Sequence, residues 1–483
     1  MNRYASYIPY VLVFLGVLLA SVGVFYDYSY WWDELYSVTA AELSYTNMFS
    51  LFIFNDVHPP LYTMILNVWV SLFGSSEQVT RTLSFAFSML ALSVVWSWSK
   101  KSLDRIGFQT VIIFFSTSSV FSFYAQEARS YSMMLALAAV LTIVWLSDWH
   151  KSSYGKLIAF GSVAIALSLT HYFGLVYAGL ILIFSLYDNL KDPKKASVIV
   201  TSGIASLAWP TIHFLYGSIG SKTGDNFWIK SEGWQSTVSS ASSGLVPQVN
   251  ILSSKILGVP GSEYLAAIIF LLLLGTAFLF ARLRDKALVS DASEYPSGKI
   301  ILLFLLFLAI LAVIDSHSPV STRRNYIVLL PLFSILLGLA AQGLKKSGFK
   351  WVFLVLVVGG IGNLGASFVQ VSSKSSPLQD HAAAVDFIER NAGPEVNVYY
   401  LARPGSSMPE MQKMMAEYYF ENDRNIIPVT AEDLSDIQSP FFYFLQHQKN
   451  TPDELAAEMS ELGLKVDFYI PQKNNSVMVV YGE

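Results

Sequence analysis

Eleven stretches long and apolar enough to cross a lipid bilayer leave this chain little choice of architecture. They run over residues 8–26, 80–99, 107–123, 129–147, 157–171, 173–187, 196–216, 263–281, 299–315, 324–343 and 351–371. A helix needs about 20 mostly apolar residues to span the hydrocarbon core. The reading is therefore a multi-span α-helical membrane protein of about eleven transmembrane helices, with 157–171 and 173–187 the shortest pair. Composition agrees: charged residues make up 14% and apolar ones 53%, against about 25% charged in an average soluble chain. The first run follows Arg3 and ends among Ala20, Ser21 and Gly23, the layout of a signal peptide. Ten further runs behind it make it a retained signal-anchor.

Basic residues give the chain a direction. With the N-terminus cytoplasmic, Arg3, Lys100, Lys101, Arg105, Lys151, Lys156, Lys191, Lys194, Lys195, Arg282, Arg284, Lys286, Lys299, Lys345, Lys346 and Lys350 all fall inside. Only Arg81, Arg129, Lys222, Lys230, Lys255, Arg323 and Arg324 fall outside, as the positive-inside rule requires. The apolar segment 59–73 is the exception to handle. As a 15-residue helix it covers about 22 Å, short of the roughly 30 Å core, and counting it as a span would invert every later loop. We read it as an interfacial helix on the outer leaflet, inside a first outer loop from Asp27 to Val79. Further outer loops lie at 124–128, 217–262 and 316–323.

After residue 371 the chemistry changes. Residues 1–371 carry 23 Lys/Arg and 18 Asp/Glu, whereas 372–483 carry 8 and 17. This acidic tail, joined through Ser372–Pro377, makes nucleic-acid binding unfavourable. Helices are expected at Leu378–Asn391, Pro409–Asn422 and Pro452–Leu462. Strands are expected at Val396–Leu401, Phe441–Leu445, Val466–Ile470 and Ser476–Tyr481. The tail is thus a small C-terminal α/β soluble domain, 372–483, outside the membrane, following a membrane domain over 1–371. The chain has no cysteine, which removes disulfides, thiolate nucleophiles and Cys-based zinc sites.

Ionisable residues at the edge of a membrane are costly, and each is a site candidate by default. The informative ones share the outer side. They are Asp33 and Glu34 in YWWDELYS, Asp56 and His58 in FNDVHPPLY, Arg81 in QVTRTLSF, and Glu127 and Arg129 in YAQEARSYS. His171 in LTHYFG and the pair Arg323 and Arg324 in SPVSTRRNYIVLLP complete the set. A carboxylate-rich first loop facing isolated arginines at span mouths suits a phosphorylated lipid head group and a reacting hydroxyl.

These residues, in this order, resemble the GT-C superfamily of polyprenyl-phosphate-sugar-dependent glycosyltransferases, in the protein O-mannosyltransferase and aminoarabinose-transferase branch. The resemblance rests on the Asp33-Glu34 pair after the first span, Asp56 to Leu61 (DVHPPL), Arg81, Gln126 to Tyr131 (QEARSY), and Arg323 to Pro331. It covers about residues 1–371. It implies a GT-C-like fold with interfacial helices in the first outer loop. The eukaryotic mannosyltransferases continue HPPL with Gly-Lys, where this chain has Tyr62-Thr63. The Lys that the aminoarabinose branch carries beside the corresponding Pro is also absent. Lipid-phosphate contacts must come from other residues, and the sugar does not carry over.

Transfer of a sugar from a lipid phosphate passes through an oxocarbenium-like state at the anomeric carbon. A carboxylate takes the acceptor's proton, and fixed guanidinium charge receives the departing phosphate. Neighbours on a helix face different ways, so we assign Asp33 as base and Glu34 to structure or substrate orientation. Asp56 is a second active-site carboxylate. His58, Arg81, Glu127, Arg129, His171, Arg323 and Arg324 are the substrate-binding candidates, with one of the last two facing the cavity and the other the head groups. Each has a plainer reading. Asp33 and Asp56 would serve as helix caps, Arg81 and Arg129 as snorkelling anchors, and His58 and His171 as buried structural histidines. A divalent metal at Asp56 and His58 is left open with an incomplete ligand set. No other cofactor is expected. Gly360–Gly365 fits GxGxxG but lies inside a span, where glycines serve helix packing. Trp228 and Trp234 suit membrane anchoring at least as well as sugar stacking.

The expected function is an integral-membrane glycosyltransferase of the bacterial inner membrane. It would move a sugar from an undecaprenyl-phosphate donor to a lipid, glycan or protein acceptor on the periplasmic face, by single displacement with inversion. Two alternatives stay open: a lipid or polysaccharide transporter or flippase, and an O-antigen polymerase or ligase. Transporters place charge near mid-bilayer and build on repeats, whereas here it lines the outer span ends beside one large first loop.

Overall fold

The computed structural model describes residues 7–148, 151, 153–216, 233–247, 262–287, 297–375, 379–393, 396–401, 409–421, 424–430, 437, 440–446, 451–461, 463–471 and 477–482. Arg3, Lys222, Trp228, Lys230, Lys255, Pro377, Leu378, Asn422, Leu462 and Ser476, named above, lie outside them. Every predicted run is helical: α1 (Ile8–Phe25), α2 (Trp32–Ala41, in the first loop), α3 (Leu61–Phe73), α4 (Glu77–Ser102), α5 (Arg105–Thr117) and α6 (Ser119–Tyr124) open the chain. Then come α7 (Tyr131–Leu146), α8 (Tyr154–Ser168), α9 (Tyr172–Asn189), α10 (Pro193–Ser206), α11 (Ala208–Tyr216) and α12 (Trp234–Leu245). The body closes with α13 (Ser262–Ala287), α14 (Ser297–Asp315), α15 (Leu330–Lys346) and α16 (Val352–Ser372). Among the described residues, seven helical stretches are long and apolar enough to cross a membrane. They are 8–25, 77–102, 172–189, 193–216, 297–315, 323–346 and 352–372, with 131–146, 154–168 and 267–283 shorter. The segment read as interfacial is a helix of only 13 residues, α3.

Three predicted runs are interrupted, each for a local reason. The 107–123 run breaks at Ser118, which is extended at φ −63° and ψ 135°. The hydroxyls of Ser116 and Thr117 bond back to Ile112 O and Ile113 O, a competition that bends helices. Ser367 Oγ then donates to the carbonyl of Thr117 at 2.7 Å. In the 196–216 run, Pro210 has no N–H to offer Ser206 O, and α10 ends at Ser206. The 324–343 run starts as a 3₁₀ helix over Arg323–Leu329 before α15 begins with Pro331 in its first turn.

The chain divides into two compact units. The first comprises Met1–Val22, Asp56–Tyr62 and Arg81–Val371. Its core joins Phe115, Tyr131, Phe173, Phe304, Phe307 and Phe333 in one buried cluster. Small residues let its helices close up: a Cβ on Gly338 would lie 2.6 Å from Val111 Cγ2 and 2.9 Å from Gly107 O.

The second unit comprises Gly23–Asn55, Thr63–Thr80 and Ser372–Glu483. It holds α17 (His381–Asn391), β1 (Asn397–Leu401), α18 (Pro409–Glu417), β2 (Ile426–Val429), β3 (Phe441–Leu445), α19 (Pro452–Glu461), β4 (Asp467–Tyr469) and β5 (Met478–Gly482). The sheet order is β2-β1-β3-β5-β4, with β2, β1 and β3 parallel and the other pairs antiparallel. Phe442 and Phe444 pack on one face with Val385 and Ile388, while Phe441, Tyr443 and Leu445 pack on the other with Leu455 and Met459. Burial on both faces explains the unbroken apolar run of β3. Strand β2 is additional to the four expected strands, and it contains Pro428, which disfavours a strand interior. It sits at the end of the sheet order, where proline is tolerated.

First-loop residues complete this second unit. Asn67 Nδ2 donates to Ala41 O and Leu43 O at 2.7 and 2.9 Å. Tyr36 OH donates to Phe52 O at 2.7 Å, and Tyr30 OH to Ser75 O at 2.7 Å.

Candidate active site

The HPP segment is rigid because its two prolines fix φ and because both ends are tied down. Leu61 N–H donates to Leu169 O at 3.0 Å, and the Tyr62 hydroxyl meets Ser84 Oγ at 3.2 Å. Asp56 Oδ1 accepts from Val57 N–H at 2.6 Å and faces His58 Nδ1 at 3.0 Å. A carboxylate only accepts, so this contact places the proton on Nδ1.

Arg129 reaches the same pair from the turn between α6 and α7. That turn is wholly buried, and Gln126 pins it by donating Nε2–H to Leu19 O and Ser122 O, both at 2.7 Å. Arg129 Nη2 lies 3.3 Å from His58 Nδ1. With that nitrogen's proton turned to Asp56, the guanidinium meets the pair as a charge.

His171 stands beside them in the turn before α9. Its Nδ1 accepts from Phe173 N–H at 3.2 Å, which caps the helix. Its ring centroid is 5.1 Å from that of His58 and 5.9 Å from Tyr131. Burial, and then the charges of His58, Arg324 and Arg129, push its pKa well below the ordinary value of 6.5, with Asp56 opposing. The ring is therefore neutral with its proton on Nε2, and that N–H has no hydrogen-bond partner among the described residues.

The last arginines arrive on the 3₁₀ turn. Asp315 fixes its approach by accepting from Val320 N–H and Ser321 N–H at 3.0 Å each, and from the Thr237 hydroxyl. Arg324 Cζ lies 5.5 Å from the Tyr131 ring centre and Arg323 Cζ 5.5 Å from that of Phe123, both cation–π distances. The Arg323 charge also acts on the Tyr124 hydroxyl. Arg323 is exposed and Arg324 half-buried.

The first unit thus brings Asp56, His58, Arg129, His171 and Arg324 together. Glu127 is buried in the Arg129 turn and acts electrostatically on Tyr124. Arg81 is fully buried on α4. Asp33 and Glu34 belong to the second unit, in the first turn of α2, with Glu34 fully buried and Asp33 half-buried. Sequence reasoning gave no role to Tyr131, although QEARSY contains it. It also missed Tyr172, whose hydroxyl lies 2.7 Å from Nδ1 of the buried His213. Adjacency to His171 was the available signal. Among the described residues no group of three His, Asp or Glu forms a metal site. Asp56 Oδ1 and His58 Nδ1 engage each other, and the Arg129 guanidinium adjoins them.

No protein-family model matches the chain, and no curated protein matches it in sequence. Solved structures do match. ArnT from Cupriavidus metallidurans in the apo state superposes with a TM-score of 0.58 at 13% identity, covering 97% of both chains. The same protein bound to undecaprenyl phosphate gives 0.56 at 14% identity, again over 97% of both. The chain has the ArnT fold. The multi-span helical body with a small C-terminal sheet, expected from the residues, is the layout observed.

Proposed function

We propose that this chain is an integral-membrane glycosyltransferase that moves a sugar from a polyprenyl-phosphate donor to an acceptor on the outer face of the bacterial inner membrane. The observation that carries the reading is the gathering of Arg129, Arg324, His171, His58 and Asp56 from four separate segments, in a fold whose ArnT member is solved with undecaprenyl phosphate. Two guanidinium groups and a buried imidazole N–H without an acceptor among the described residues form a receptor for phosphate oxygens. A donor with an isoprenoid tail also requires a site at the membrane boundary.

In the proposed step the acceptor oxygen attacks the anomeric carbon from the face opposite the phosphate. The C–O bond to phosphate breaks and its electron pair leaves with the phosphate. Asp33 takes the acceptor's proton, and the configuration inverts. Asp56 holds His58 in one tautomer beside Arg129 as the second carboxylate, and Glu34 supports the Asp33 turn.

The test is incubation of the purified protein with radiolabelled undecaprenyl-phosphate sugars and envelope fractions. Label passing to an acceptor supports the proposal, and Asp33→Asn should abolish transfer while donor binding persists. Vectorial movement of intact donor without cleavage would replace it with a flippase. Use of pyrophosphate-linked oligosaccharide alone would replace it with a polymerase or ligase.

A further inference from the structure

Helix α2 begins without a cap of its own. Trp31 occupies the N-cap position at φ −80° and ψ 167°, and its side chain makes no capping bond. The first N–H groups of a helix need partners, and here one comes from far along the chain. Trp32 N–H donates to Gln379 Oε1 at 2.6 Å across 347 residues. The residues leading into the helix are held the same way. Tyr30 N–H donates to the Tyr419 hydroxyl at 2.8 Å, and that hydroxyl donates on to Glu77 Oε1 at 2.7 Å. Ala382 N–H donates to Ser29 Oγ at 3.2 Å. The buried His381 ring lies between the Tyr30 carbonyl, 3.3 Å from Nδ1, and the Gln446 carbonyl, 3.2 Å from Nε2. Gln446 follows β3, the middle strand of the sheet.

We infer that the C-terminal segment acts as an external N-cap for α2, with Gln379 as the positioning residue that fixes the turn carrying Asp33. The inference rests on the reading of Asp33 as the base. Asp33 is the second residue of the helix, so the direction of its carboxylate follows the geometry of this first turn. The anchoring groups sit at the start of α17, after α18 and beyond β3, all packed on the sheet, which gives the turn a rigid support. An active-site group held loosely loses rate steeply, since displacement by about 1 Å costs on the order of 100-fold.

The full-length protein in detergent tests this in two independent ways. Hydrogen exchange at the Trp32 amide should accelerate about tenfold or more in Gln379→Leu, which removes the acceptor. It should return to the parent rate in Gln379→Glu, which keeps an acceptor oxygen. In the transfer assay Gln379→Leu should lower kcat by about 10- to 100-fold with donor KM within about twofold, and Gln379→Glu should recover it. Unchanged exchange in Gln379→Leu would overturn the external cap. Faster exchange with unchanged kcat, while Asp33→Asn is inactive, would overturn the positioning role. Full transfer by Asp33→Asn would instead overturn the base assignment, leaving the exchange measurement to decide the cap by itself.

Discussion

His171 offers two hydrogen-bonding atoms with separable tasks, and two substitutions pull them apart. Nδ1 caps α9 through Phe173 N–H, and an asparagine amide reaches that position. Nε2 has no hydrogen-bond partner among the described residues, and a glutamine amide reaches the Nε2 position while abandoning the cap. Losing a cap costs about 1 kcal/mol, worth no more than about 2 °C in a protein this large. A hydrogen bond to a charged phosphate contributes about 1.5–3 kcal/mol, which is about 10- to 100-fold in rate or affinity. His171→Asn should therefore melt like the parent and transfer sugar about 10- to 100-fold more slowly. His171→Gln should melt lower and keep much more of its activity. Thermal unfolding in detergent and initial transfer rates measure the pair. Parent-like kcat/KM in His171→Asn would refute the phosphate role. The same residue sets an acid limit. Its folded-state pKa lies below the ordinary 6.5, so it contributes stability above that pH and loses it as pH falls through and below it. His171→Asn should flatten that part of the acid unfolding profile.

Three further outcomes follow from the geometry. Arg129→Met should weaken donor binding about 100- to 1,000-fold, since a charge about 4 Å from phosphate is worth up to about 4 kcal/mol at an effective dielectric near 20. Arg129→Lys should fall between, having charge without the planar fork; equilibrium binding of labelled donor measures both. Gly360→Val should lower thermal stability by about 1–3 kcal/mol, because even a Cβ there would lie 2.5 Å from Ile113 Cγ2. A sidedness reporter fused at Ser76 should read external; a cytoplasmic signal would invert the topology proposed for every later loop.

The helical body could be read from residue chemistry because each span carries its own apolar length. What could not be read were interruptions made by single groups: the Ser118 break depends on hydroxyls competing for carbonyls, and the α10 end on one missing N–H at Pro210. Likewise FFYFL declares a strand, while Ile426–Val429 becomes one only because an edge position excuses Pro428. At the candidate site, the scarcity of ionisable residues singled out Asp56, His58, Arg129 and His171 individually. Their mutual distances, the tautomer of His58 and the pairing of Tyr172 with His213 depend on where helices far apart in sequence end. The bonds from Gln379 to Trp32 and from Tyr419 to Tyr30 span 347 and 389 residues, and no local pattern records a contact at that separation.

That separation also sets a timetable. Ribosomes add about 5–20 residues per second, so roughly 20–70 s pass between synthesis of Trp32 and of Gln379, 347 positions later. For that whole interval the turn bearing Asp33 and Glu34 has been made but lacks its distant partner. A chain stalled or clipped ahead of residue 379 holds all the described helices long and apolar enough to cross a membrane, yet leaves the Trp32 turn without its acceptor. Only completion of the last stretch supplies the partner of the first.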